Sequence, residues 1–182
     1  MFVVKTLLSQ LKEINVKTEN INYLAFSHLH NDHTGNAKLF LHSTWLMQKA
    51  EFDISHSKDA INYGYKPQDY VNTKAKIKKL AGDFDVFGDG SVIIISTPGH
   101  SVGHQSLLVN LTETGAVLLS GDLYHFKENR DNYAMPGWNN KKQTIHSFAL
   151  IDDLLAKNKA TLWIHHDKEE FDQLKKSPYF YQ

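Results

Sequence analysis

Ser27-His28-Leu29-His30-Asn31-Asp32-His33 follows a short apolar run and sets four candidate metal ligands, His28, His30, Asp32 and His33, within six positions. Buried imidazoles and carboxylates are costly unless they are paired or bound to a cation, so packing alone gives no reason for such density. We read the stretch as the first half of a two-metal site. The remaining ligands should then lie downstream, in separate loops that the fold brings together.

The chain supplies them in one recurring style. His100 follows the run Val92-Ile93-Ile94-Ile95 in the loop Thr97-Pro98-Gly99-His100-Ser101-Val102-Gly103-His104; Asp122 follows Val117-Leu118-Leu119-Ser120-Gly121; His166 follows Thr161-Leu162-Trp163-Ile164-His165. Four predicted strands therefore end in His or Asp. Donors on rigid strand ends can reach a Zn²⁺ ion at about 2.0–2.2 Å without loop entropy loosening the site.

These motifs resemble the metallo-β-lactamase superfamily, and within it the N-acyl homoserine lactone lactonases. The matching pieces are Ser27 to Asn36, Thr97 to Leu107, Gly121-Asp122 and His166-Asp167, so the similarity runs from about Leu7 to Asp167. The resemblance implies that His28, His30 and His100 hold one metal, that Asp32, His33 and His166 hold the other, and that Asp122 bridges them. Two divalent ions are expected, with zinc as the default and Fe, Co or Mn also suited to these donors.

The implied fold is an α+β, four-layer αββα sandwich, with residues 1–182 as a single domain. Relatives carry several strands ahead of the first helix. Their absence here predicts either a fragment or a natural truncation, with an exposed sheet edge through which the chain would self-associate.

Apolar residues at 4, 7, 8, 11 and 14 predict a core-facing helix at the start, and Asn20 to Phe26 a strand leading into the ligand cluster. Asn36 to Phe52 reads as mostly helical after a short strand, with Trp45, Met47 and Phe52 directed to the core. Val71 to Ala81, with Lys74, Lys76, Lys78 and Lys79 around Val71, Ile77 and Leu80, reads as a helix with a solvated face. Phe84 to Phe87 and Val92 to Ile95 form a hairpin about Gly88-Asp89-Gly90. Ser106 to Leu111 and Ala116 to Ser120 form a second strand pair, and Gln143 to Lys157 a helix over the second sheet.

Composition narrows the function classes. The 20 Lys and Arg residues equal the 20 Asp and Glu, which gives no net field to attract nucleic acid or an anionic membrane. With no cysteine, disulfides, thiolate metal sites and a cysteine nucleophile are excluded. No apolar stretch approaches the roughly 20 residues needed to span a bilayer. Cytoplasmic placement is the default expectation, subject to any targeting segment lost with the missing strands.

The expected chemistry is ester hydrolysis on a small molecule. Two cations lower the pKa of a bridging water, so that hydroxide is present near neutral pH and can attack a polarised carbonyl. Lactones such as N-acyl homoserine lactones lead. An arylesterase or phosphotriester hydrolase on the same site is the alternative enzyme, and a non-catalytic, truncated metal-binding relative is the alternative outside enzymology.

Asp32, besides ligating, is a candidate proton shuttle. Lactonases of the family commonly carry a tyrosine three positions after the bridging aspartate; here that position is His125 and the tyrosine is Tyr124, so either could assist the leaving group. His104 is expected to support the site rather than ligate, and Asp167 to orient a ligand imidazole. The segment Phe126 to Trp138, with Tyr133 and Met135, offers apolar surface for an acyl chain.

Overall fold

The strand runs sort by which faces they bury. Thr44–Gln48 (β2) is buried from Trp45 onward on both faces, as expected of a strand sandwiched between layers. It lies in the middle of a parallel three-stranded sheet, between Tyr23–Ala25 (β1) and Lys76–Leu80 (β3). The second sheet has five strands in chain order, Phe84–Asp85 (β4), Val92–Ser96 (β5), Gln105–Leu111 (β6), Gly115–Leu119 (β7) and Thr161–Trp163 (β8). Pairing in it is antiparallel except for β7 with β8, a parallel pair whose crossover carries the long helix described below. The computed structural model describes residues 5–182, so the part of the expected first helix that falls on residues 1–4 lies outside the described residues.

Alternation along the strands generates the layers. Trp45 and Met47 of β2 face outward into a core with Phe26, Leu29 and Tyr70, against which Phe52 of helix α3 (Lys49–Ser55) packs. Leu46, on the opposite face, meets Leu80 and Ile94 between the sheets. Ile95, Leu108 and Leu118 face the other way, onto Phe148, Ile151 and Leu155 of the 18-residue helix Lys141–Asn158. The order is helix, sheet, sheet, helix, which is the metallo-β-lactamase sandwich. Polar ties also cross between the sheets: Gln105 of β6 donates to the carbonyls of Phe26 and Leu46, and Gln48 of β2 donates to Gln105.

The remaining helices are short. Leu7–Glu13 (α1) is capped by Thr6 and Asn31–Thr34 (α2) is a single turn, while the helix after α3 is Lys127–Asn132 (α4); Lys141–Asn158 is then α5 and Lys168–Gln173 is α6. Beside β1, which among the described residues is an edge strand, a cleft of 310 Å³ opens between the sheets over Leu24, Phe26, Ile94, Leu107 and Leu119.

Two local expectations are corrected. The lysine-rich stretch is the edge strand β3, not a helix. Only Ile77 and Leu80 turn inward, at a three-residue spacing that imitates a helix, and the sheet edge leaves the lysines room, with Lys78 over the Phe84 ring and Lys79 over the Phe52 ring. Within Asn36 to Phe52 the helix is confined to α3 and to a turn at Ala37–Phe40, because the fully buried strand β2 occupies the middle.

Candidate metal centre

The ligand candidates gather at one end of the two sheets. β1 delivers Ser27, His28 and, through His30 at the N-cap position of α2, the turn with Asp32 and His33. The β5–β6 loop delivers His100, a short turn at Gly121–Leu123 after β7 delivers Asp122, and the segment after β8 delivers His166. Gly121 adopts φ +58°, and a Cβ there would lie 2.6 Å from His104 Nε2, so glycine is needed for Asp122 to enter the site.

The potential donor atoms of His28, His30 and His100 lie within 4.8 Å of one another, as do those of Asp32, His33, Asp122 and His166, and of His100, Asp122 and His125. Asp122 belongs to the second and third groups and reaches toward the first. Its Oδ1 lies 3.2 Å from His33 Nε2, and its Oδ2 lies 3.2 Å from His166 Nε2, 3.4 Å from His125 Nε2, 3.6 Å from His100 Nε2 and 3.9 Å from His28 Nε2. His30 Nδ1 and His100 Nε2 face each other at 3.2 Å.

A divalent cation fits this arrangement. His28 Nε2 is buried without a hydrogen-bond partner, and His33 Nε2 and Asp122 Oδ1 are buried facing only each other; a native interior leaves such polar atoms satisfied by an ion or water. Ligand imidazoles must be neutral. Burial holds His28 well below its ordinary range, lowers His30, and brings His100 down to about 3. Asp122 is held far below the usual carboxylate range: burial would raise it, but hydrogen bonds from His125, His166 and His33 outweigh that. His166 moves up, chiefly through its bond to Asp122.

The supporting residues are equally specific. His104 Nε2 accepts the Asp122 backbone N–H at 2.9 Å, so its Nδ1 carries the proton and donates to the Thr97 carbonyl at 3.0 Å. His104 is thereby committed to holding the Asp122 backbone, and burial lowers it to about 4. Ser27 Oγ sits 3.1 Å from His28 Nδ1, fixing that ring with Nε2 toward the cluster.

Three candidates stand elsewhere than expected. Tyr124 is fully buried with its ring 4.5 Å from that of Phe148, and its hydroxyl has no partner; the extended backbone after the Gly121–Leu123 turn sends Tyr124 to the α5 side and His125 to the site. Asp167 does not orient His166 but caps α6, accepting from the N–H groups of Glu170 and Lys127. Of the apolar segment, Tyr133 and Met135 pack against the α5 core and Phe126 stands exposed, while Trp138 alone lines the site.

The cleft over the cluster has a volume of 790 Å³. Besides His30, Asp32, His100, Asp122, His125 and His166, its walls include Ile54, Tyr63, Val102 and Trp138, an apolar set dispersed in sequence. The first three escaped sequence reading because each sits in a loop or short helix with no periodic pattern to mark it. Glu51, buried directly beneath the ligand loops, escaped as well, although it follows a buried strand as the ligands do.

Comparison with known proteins agrees with this geometry. A family model described as the metallo-beta-lactamase superfamily matches residues 3–162. The N-acyl homoserine lactonase AttM of Agrobacterium fabrum is 32% identical over 180 residues, covering 96% of this chain and 68% of its own length. An N-acyl homoserine lactonase of a Bacillus species is 31% identical over 161 residues, covering 88% of this chain and 61% of its own length. The chain thus spans about two thirds of the length of the curated relatives it matches. A solved N-acyl homoserine lactone hydrolase, with the product N-hexanoyl-L-homoserine bound at its catalytic metal centre, superposes with a TM-score of 0.83 at 27% identity, over 96% of this chain and 67% of that one.

Proposed function

The chain belongs to the metallo-β-lactamase superfamily of metal-dependent hydrolases, and on that premise we propose that it opens lactone rings, with N-acyl homoserine lactones as the substrate class. The observation behind the proposal is a cluster of seven His and Asp side chains at a cleft that Ile54, Tyr63, Val102 and Trp138 help to line. His28, His30 and His100 would hold one divalent ion, Asp32, His33 and His166 a second, and Asp122 would lie between them. Bound there, such ions, zinc by default, would polarise an ester carbonyl and would bring the pKa of a water near neutrality.

The chain's own side chains do the rest. Ile54, Tyr63, Val102 and Trp138 offer an acyl chain apolar surface in the cleft, and the Trp138 ring lies 6.4 Å from that of His100. His125 reaches into the cleft with Nε2 against Asp122, where its ring can hand a proton to the departing alkoxide. A lactone suits such a donor, since after its bond to the carbonyl carbon breaks the leaving oxygen stays attached through the opened chain, within reach of the same imidazole. Asp32, solvent-facing, is placed to relay protons outward.

Mass spectrometry of short- and long-acyl homoserine lactones incubated with the metal-loaded chain tests this reading. Ring opening is expected, and His125→Gln should lower kcat by about 10²-fold or more at unchanged metal content. Turnover of p-nitrophenyl esters or phosphotriesters with no lactone opened would transfer the site to the alternative enzyme class. Full metal occupancy with no turnover of any of them would leave a non-catalytic metal binder.

A further inference from the structure

Glu51 is a carboxylate with no exposed surface, and among the described residues it makes no ion pair. A buried charge in that position persists only if hydrogen bonds replace its hydration. Its two oxygens are used separately. Oε1 accepts the Leu29 N–H at 2.9 Å, between His28 and His30, whereas Oε2 accepts the Ser101 hydroxyl at 2.6 Å and the Gly103 N–H at 3.1 Å, just beyond His100. One carboxylate thus fastens two loops that come from different sheets.

The approach is as close as backbone allows. A Cβ on Gly103 would lie 2.3 Å from the Glu51 backbone nitrogen, so any side chain there would push α3 away from the His100 loop. Tyr65, whose ring lies 5.0 Å from that of His30, is buried beside the same carboxylate, and it bridges to His30 through the backbone.

Resting on the metal-site reading above, we propose that Glu51 is a positioning residue: its carboxylate ties the His28–His30 loop to the His100 loop and so sets the spacing of the buried ligand triad. It touches no ligand nitrogen and acts through the backbones on either side. Its negative charge, balanced only by N–H and O–H dipoles, also favours a cation at the cluster through a low-dielectric interior.

Glu51→Gln keeps the shape but loses the charge and turns an amide donor toward groups that are themselves donors. Cobalt(II) is the probe. The expected result is a folded variant by circular dichroism that binds its first cobalt about 10–100-fold more weakly in chelator competition, with a shifted visible absorption spectrum that reports altered coordination. A variant with unchanged affinity and spectrum would overturn the proposal. If Glu51→Gln does not fold, Ser101→Ala decides, because it removes one tie and leaves the charge: weaker, spectrally altered cobalt binding supports the clamp, and wild-type binding refutes it. An unmodified chain that takes up no cobalt would overturn the metal reading itself, and the clamp with it.

Discussion

The side chains of His28 and His100 are 0% and 2% exposed, whereas Asp32 and His166, in the other half of the same cluster, are 53% and 36% exposed. The buried half is held in place by contacts of the chain's own. Ser27 fixes the His28 ring, burial keeps the imidazoles neutral, and the two loops are held together from beneath by Glu51. The outer half depends on a one-turn helix and on the segment after β8, with Asp122 and the Nε2 of His33 in the interior but Asp32 and His166 toward solvent. Preformed donors avoid an ordering cost that mobile ones must meet on binding. The two positions should therefore differ in affinity, the His28–His30–His100 position being the tighter.

Ligand removal should produce the largest effect and expose that asymmetry. His100→Ala is expected to cost the tight position and with it nearly all metal and hydrolysis. His166→Ala should keep about one ion per chain, because the buried triad is untouched, and lose activity. Elemental analysis of both variants checks this. Equal losses of metal from the two would show that the halves bind as one cooperative unit.

A smaller effect should appear in the pH dependence of the metal-free protein. Burial holds His100 at about 3 and His104 at about 4, below the 6.5 ordinary for histidine, so across that interval the unfolded chain binds more protons and stability falls as the pH drops from 6.5. His166 has the opposite sign. Its pKa is raised, so its contribution is complete below 6.5 and fades as the pH rises through its folded value. The buried histidines outnumber it, and the thermal midpoint should fall on acidification below 6.5. Calorimetry showing a midpoint that holds or rises below 6.5 would contradict this, because the His166 contribution is already complete there and cannot offset the loss.

Much of the site was legible because its residues share one device, a candidate ligand placed just past an apolar strand. That pattern survives in linear sequence, and the fold brings together the seven positions it marked at His28, His30, Asp32, His33, His100, Asp122 and His166. Other features depend on tertiary facts that a linear reading lacks. Whether Tyr124 or His125 enters the cleft is decided by the single turn at Gly121–Leu123, since neighbours on extended backbone point oppositely. β3 imitates a helix because an edge strand with two inward residues carries no alternation. Glu51 lies on a short helix, and nothing in its own segment announces that Gly103 permits the His100 loop to approach it.

Those seven residues are proposed to hold a pair of metal ions. Metal content per folded chain, measured by elemental analysis after loading with zinc and removing excess ion, tests this proposal most directly. Close to two ions per chain are expected, one of them released first as chelator is raised. A folded chain that retains no metal would contradict it.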